Sequence, residues 1–316
     1  MNNYLGIDIG GTNVAFGIVN DDGEIVYSNN LSTKDFQTPL ELAKQIQKLI
    51  QNETKENFIS IGIGAPSANV ETEQIEFAPN LNWGDIVPIK TIFQEVFSQP
   101  IKVINDANAA ALGEKVFGEV GNLPNFAVVT LGTGVGLGTF INGVLVSGNS
   151  GLAGELGHFV IRRDGRECNC GNLGCLETYT GSEGIVLTAK EKLEFSSGGS
   201  ILNSLPPSDL TPLEIFNAAR KDDPVALEVV DSVCRDLGYA LSALVNLMDV
   251  EYIVLTGGIA NAGNILRRKT EKHLKSYVLP NLRSKVSLKM TGLDQSAGGI
   301  LGAVAAVMEK TQEMVR

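Results

Sequence analysis

Four residues lie close together in the sequence and share one chemistry. His158, Cys168, Cys170 and Cys175 form the pattern His-x9-Cys-x-Cys-x4-Cys. Three thiolates and one imidazole are the donor set of a closed, tetrahedral structural Zn2+ site. Gly171 and Gly174 permit the tight loop that returns Cys175 to the others. The alternative is three reduced cysteines without a metal. The clustering, in an acidic chain with no secretory leader, favours zinc. The spacing is not the Cys-x-x-Cys of a thiol–disulfide redox pair. Cys234 falls in a helical apolar stripe and stands apart from the cluster.

Two glycine-rich turns carry a second chemistry. In LGIDIGGTN a buried strand runs into Gly10-Gly11-Thr12-Asn13, and in VTLGTGVGLG another runs into Gly132-Thr133-Gly134. Backbone N–H groups can close on a phosphate where no Cβ intervenes, and a threonine adds a hydroxyl donor. Asp8, just before the first turn, suits Mg2+ held between carboxylate and phosphate. One such turn is weak evidence. Two in matching positions could close on one triphosphate chain. Gly257-Gly258 follows a third buried strand, where a flat group could approach the backbone or the chain could simply turn into a helix. The P-loop pattern G-x-x-x-x-G-K-[ST] is absent, and no strand–turn–helix unit carries the dinucleotide fingerprint.

Asp106 follows the strand IKVIN at the start of an Ala-rich helix. It reads either as an N-cap or as a general base that accepts a hydroxyl proton in phosphoryl transfer. Capping does not require a carboxylate, and the phosphate turns favour the base. Asn80, Asn105, Glu155 and Glu177 are polar residues in apolar or Gly-rich surroundings. They are of the type a hydroxyl-rich hexose needs for convergent hydrogen bonds.

These residues need a frame. The chain has 316 residues, 43% apolar and 19% charged, enough for a sizeable core and about two domains. The net charge of −11 argues against nucleic acid and anionic membranes as partners. No run of ~18 apolar residues suggests a membrane span, and the expected location is the cytoplasm.

Strands are expected at 4–10, 14–19, 25–31, 59–65 and 101–105, with helices at 39–51, 84–97 and 106–117. The plan then restarts. Strands are expected at 126–131, 135–141 and 143–147, then at 252–256 and 286–290. Helices are expected at 224–247, 263–277 and 298–310. The stripe Val230, Val233, Cys234, Leu237, Leu241, Leu244 and Met248 reads as core. Residues 196–212 read as a surface excursion, and His273 as part of a solvated basic helix face. GIDIGGTNVAFGIV and VTLGTGVGLGTFIN share a strand–turn–strand plan, so the chain reads as a duplicated α/β unit with a ligand cleft between its halves. The small α/β domain would hold 1–118 and a C-terminal helix at about 298–316. The larger domain would hold 119–297, with the zinc-binding loop.

LGIDIGGTN, INDANAAALGE, LGTGVGLG and GELGHFVIRRDGRECNCGNLGCLE together resemble the ROK family of sugar kinases and repressors, over about residues 4–310. The resemblance implies an actin-like ATPase (ribonuclease H-like) fold of two domains around a central cleft. It implies Asp106 as catalytic base. Asn80, Asn105, Glu155, His158 and Glu177 would be sugar contacts, with the backbone at Gly64-Ala65 lining the same pocket. ATP with Mg2+ and a structural Zn2+ are the implied cofactors, and a homodimer the implied assembly. With the first phosphate hairpin starting at residue 4, no DNA-binding helix-turn-helix is expected ahead of it, and the sequence is expected to fit the kinases better than the repressors. APNLNW (78–83) resembles the family's glucokinases, which implies transfer to the 6-hydroxyl of glucose. Kinases for N-acetylmannosamine, N-acetylglucosamine, fructose and allose share this framework, as do non-catalytic sugar sensors. Polyphosphate is an alternative donor. Ser67 departs from the glycine common at that position. Zinc ligands alternate with implied sugar ligands along 155–158 and 175–177, so metal loss is expected to disturb the sugar contacts more than the nucleotide turns.

Overall fold

Strands β1 (Asn3–Ile9), β2 (Asn13–Asn20) and β3 (Ile25–Ser32) form an antiparallel meander. The structure, a computed structural model, describes residues 2–78, 80–196, 199–294, 296–308, 311, 313 and 314. Helix α1 (Pro39–Glu53) follows, started by a capping box in which Thr38 and Glu41 bond each other's backbone, with Pro39 in the first turn. Next come β4 (Ile61–Ala65), the small antiparallel set β5 (Ala68–Asn69), β6 (Gln74–Glu76) and β7 (Ile86–Val87), then α2 (Ile89–Gln94), β8 (Ile101–Asn105) and α3 (Asp106–Phe117).

The second half holds β9 (Phe126–Leu131), β10 (Val135–Ile141) and β11 (Val144–Leu145). The helices α4 (Glu177–Thr180), α5 (Ser182–Phe195), α6 (Pro212–Arg220) and α7 (Pro224–Met248) come next. The chain then runs through β12 (Tyr252–Thr256), α8 (Asn264–Tyr277), β13 (Ser287–Met290) and α9 (Gly298–Ala305).

The two large sheets have one topology. Their orders are β3-β2-β1-β4-β8 and β11-β10-β9-β12-β13. In each, a parallel pair extends the meander: β4 and β8 beside β1, β12 and β13 beside β9. The repeat expected from the two strand–turn–strand segments is therefore present. The chain separates into two compact units, 1–124 with 138–154 and 291–316, and 125–137 with 155–290.

Strand β1 shows why its sequence alternates. Leu5, Ile7 and Ile9 are fully buried in a cluster with Leu42 and Ile46 of α1. Gly6 and Asp8 point to the other face, where α9 lies. There Gly6 meets Ile300, Gly62 of β4 meets Ala303, and Gly299 meets the Asp8 carboxylate so closely that a Cβ would collide at each place. The glycines let α9 lie directly on the sheet, and Gly113 of α3 lets α3 lie against Gly302 of α9.

Several boundaries differ from expectation. The helix expected over 84–97 is confined to Ile89–Gln94, because Pro88 biases Val87 to extended backbone and Val87 pairs with Ile75 in the small sheet. The strand expected from residue 59 begins at Ile61, and that expected over 143–147 shortens to two residues. The excursion 196–212 contains a 3-10 turn at Ile201–Ser204; its residues 197 and 198 lie outside the described residues. α9 ends at Ala305, and residues 309, 310, 312, 315 and 316 of the expected C-terminal helix also lie outside them. His273 is half-buried, its Nε2 3.1 Å from Asp231 Oδ1 of α7, and so is not on a solvated face. The α7 stripe is buried as expected up to Leu244, while Met248 is exposed.

Candidate functional site

In the first unit the sheet register brings the predicted carboxylates to one edge. Asp8 pairs with Gly64, Gly64 with Ile104, and Ala65 with Asn105. Gly64 places no side chain between Asp8 on β1 and the end of β8, where Asp106 follows. Asn105 is the N-cap of α3: its Oδ1 accepts from Ala107 N at 2.9 Å and Asn108 N at 3.2 Å. The capping reading of Asp106 is thus corrected, since Asp106 is the first residue inside the helix. Its Oδ1 accepts from Ala107 N at 2.8 Å, and the residue keeps an open face to solvent. Protein crowded around the carboxylate still desolvates it and raises its pKa above the ordinary carboxylate value. Burial first, and the Asp106 charge second, push Asp8 up to about 7.

The first turn is held by a residue that the sequence reading missed. Thr33 N donates to Thr12 O at 2.9 Å and Thr33 Oγ1 to Gly10 O at 2.7 Å, while Gly10 N closes the turn on Asn13 O at 2.9 Å. A Cβ on Gly11 would stand 2.7 Å from Cβ of Asn80, so this turn and the predicted sugar residue are neighbours. Asn80, Thr12 and Asn13 are exposed, while Pro79 of the APNLNW segment lies outside the described residues. Ser67 has φ +51°, a left-handed backbone conformation that glycine adopts without strain.

In the second unit the metal-type residues converge. The donor atoms of His158, Cys168, Cys170 and Cys175 all lie within 4.8 Å of one another. Cys168 Sγ is 3.6 Å from His158 Nδ1, and Cys170 Sγ is 3.7 Å from Cys175 Sγ. These are close to the ~3.8 Å edge of a tetrahedron with ~2.3 Å zinc–sulfur bonds. The donor set and its spacing fit zinc.

Glu155 and Glu177 flank this cluster. Glu155 Oε2 is 3.8 Å from His158 Nε2, and Glu177 Oε1 is 3.6 Å from His158 Nδ1. The Cys168 thiol donates to Glu177 Oε1 at 3.1 Å. The other Glu177 oxygen reaches the turn at Gly134, where a Cβ would stand 2.7 Å from it. The turn at 132–134 therefore does not lie apart from the Cys/His loop, because distance along the chain is not distance in space.

Sequence reasoning also missed a pocket of about 240 Å3 at this turn. Gly132, Thr133 and Ser182 line it beside Pro212, Leu213, Phe216 and Ile259. Gly258 also lines it and has no neighbour that a Cβ would strike. Gly257, at φ +90°, instead lies tight against Leu131 of β9. The signal for the pocket was the apolar start of α6, PLEIF, which follows the segment read as excursion. The pocket is of a size and lining to take a flat apolar group beside this turn.

The sequence pattern of the ROK family matches residues 4–310. The chain belongs to the ROK family. A ROK glucokinase from Streptomyces griseus, solved in complex with glucose and AMPPNP, superposes with a TM-score of 0.85 at 28% identity, covering 96% of this chain and 99% of that one. The glucokinase of Halalkalibacterium halodurans is 36% identical over 308 residues, 95% of this chain and 93% of its own length. A xylose repressor of Caldicellulosiruptor bescii is 27% identical over 313 residues, 96% of this chain and 77% of its own length. The fold of the ROK kinases, the actin-like ATPase fold of two domains, is that of this chain. Among the described residues, no helix is long and apolar enough to cross a membrane.

Proposed function

We propose that this ROK protein is an ATP-dependent hexose kinase that phosphorylates the 6-hydroxyl of glucose. The observation that carries the reading is Asp106. It is a carboxylate at the start of α3 that Asn105 relieves of capping, and its raised pKa suits a proton acceptor. The likeness to a glucokinase and to a glucose–AMPPNP complex supports the same substrates.

In the transfer, the sugar O6 forms a bond to the γ-phosphorus, the bond from that phosphorus to the β–γ bridging oxygen breaks, and the O6 proton passes to Asp106. Asn80, Asn105, Glu155, His158, Glu177 and the Gly64-Ala65 backbone would hold and orient the sugar hydroxyls. The N–H groups of Gly10 to Asn13 and of Thr133-Gly134 would hold phosphate oxygens, and the pocket at Gly258 and Phe216 the base. Asp8 would hold Mg2+, which neutralises phosphate charge when bound. His158, Cys168, Cys170 and Cys175 would hold a structural Zn2+, which fixes the loop between them. The homodimer is carried from the family resemblance, and the cytoplasmic location from the reading of the sequence.

A coupled assay of ADP release over glucose, N-acetylmannosamine, N-acetylglucosamine, fructose and allose tests the reading, and glucose should give the highest kcat/KM. A different preferred hexose would move the substrate and keep the chemistry. The xylose repressor's similarity favours a second reading, a sugar sensor without catalysis. Measurable sugar binding with no hexose-dependent ADP release, with ATP or with polyphosphate as donor, would select it.

A further inference from the structure

Arg166 belongs to the metal loop, two residues before Cys168, but its side chain serves another element. It is 14% exposed. Nη1 donates to the carbonyls of Thr178, at 2.7 Å, and Gly184, at 3.0 Å. Nη2 donates to Thr188 Oγ1 at 3.0 Å and Glu191 Oε2 at 2.6 Å. The guanidinium lies over the Tyr179 ring, 4.6 Å from its centroid. These partners run from α4 across the elbow at Gly181 into the first three turns of α5.

The Thr178 carbonyl is the informative partner. In a continuous helix it would accept from the N–H four residues on, at Ser182. Here α4 stops after Thr180 and the chain bends at Gly181. Arg166 supplies the hydrogen bond that the Thr178 carbonyl would otherwise lack. Ser182 then directs both donors elsewhere: its N–H reaches Gly132 O at 3.0 Å and its hydroxyl reaches the same oxygen at 2.9 Å. Gly132 opens the turn that carries Thr133 and Gly134.

We propose that Arg166 is a positioning residue for the 132–134 turn. By taking the Thr178 carbonyl it keeps α4 and α5 apart at Gly181, which leaves Ser182 free to anchor Gly132. A planar guanidinium with several donors can satisfy two carbonyls, a hydroxyl and a carboxylate at once, and a lysine ammonium cannot match that fork. The nucleotide part of this inference rests on the kinase reading, while the structural part does not.

The test compares wild type with Arg166→Met and Arg166→Lys in the zinc-loaded protein. Hydrogen-exchange mass spectrometry follows peptides covering 130–136 and 178–186, and calorimetry follows AMPPNP and glucose. Both variants should keep wild-type zinc content. Exchange should rise in both peptides, and AMPPNP affinity should fall about tenfold, the order expected for losing one hydrogen bond to a charged group. Glucose affinity should stay within about twofold, well under one such bond. Unchanged exchange at 130–136 with zinc retained would overturn the proposal, and so would equal losses for AMPPNP and glucose. If Arg166→Met does not fold, Thr188→Val removes one Arg166 acceptor and should give the same pattern at smaller amplitude; no change there also overturns it. Wild type that binds no AMPPNP would sink the kinase reading, while the exchange comparison would still decide the role of Arg166.

Discussion

Glu177 and Gly134 are in contact, with one Glu177 oxygen 2.7 Å from where a Gly134 Cβ would stand and the other 3.1 Å from Cys168 Sγ. One carboxylate thus connects the Cys/His loop to the turn at 132–134. Cys170→Ser should therefore lose bound zinc and raise the KM for both glucose and ATP, and not for glucose alone. Metal analysis, circular dichroism and steady-state kinetics check this. A folded, zinc-free variant with wild-type constants for both substrates would refute the coupling.

Substitution of Asp106 should cost catalysis and spare stability, whereas substitution of Asn105 should cost stability as well as sugar contact. Asp106→Asn should lower kcat by about 10^2- to 10^4-fold, the usual contribution of a general base, with little change in melting temperature. Asn105→Ala should cost about 1 kcal/mol of stability, because it removes the cap of α3. Urea denaturation beside single-turnover kinetics distinguishes the two. An Asp106→Asn variant with near-wild-type kcat would remove the base from the mechanism.

Asp8 should make the ligand-free protein sensitive to pH. Its pKa is about 7 in the folded chain against an ordinary 3.8. The folded state therefore binds a proton between those values that the unfolded state has released. Stability from this group is full below 3.8 and is lost as pH rises through about 7. Asp8→Asn cannot ionise, so it should melt several degrees above wild type at pH 8 and together with it at pH 4. Parallel melting curves across that range would contradict the burial of the charge.

Ser67, at φ +51°, should be improved by glycine. The left-handed conformation costs a residue with a Cβ ~1–2 kcal/mol, and glycine gives back ~0.5–1 kcal/mol through the flexibility of the unfolded chain. Ser67→Gly should gain about 0.5–1 kcal/mol in urea denaturation. A loss of stability would show that the Ser67 side chain makes a compensating interaction.

The motifs were legible because their chemistry is local. The strand-to-turn passages at 4–13 and 126–136, the His/Cys spacing and the α3 start each lie within a few consecutive residues. The pocket at Phe216 and Ile259 was not legible, because it joins α6 to a turn some forty residues later. The elbow at Gly181 was missed although Ile185, Ala189 and Leu193 carry a helical pattern. The short strands β5 to β7 contain two or three residues each, too few for periodicity to register. Which residue caps α3 depended on one rotamer, and adjacent Asn and Asp are nearly equal as caps.

The glycine face that receives α9 has a consequence for the order in which the chain is made. Gly6 and Gly62 emerge early from the ribosome, while Ile300 and Ala303 emerge more than two hundred residues later. At ~5–20 residues per second, the first sheet waits on the order of ten seconds or longer with the part of that face under α9 bare. A nascent chain arrested before residue 298 should present an apolar sheet surface to chaperones, and release of the last segment should close it.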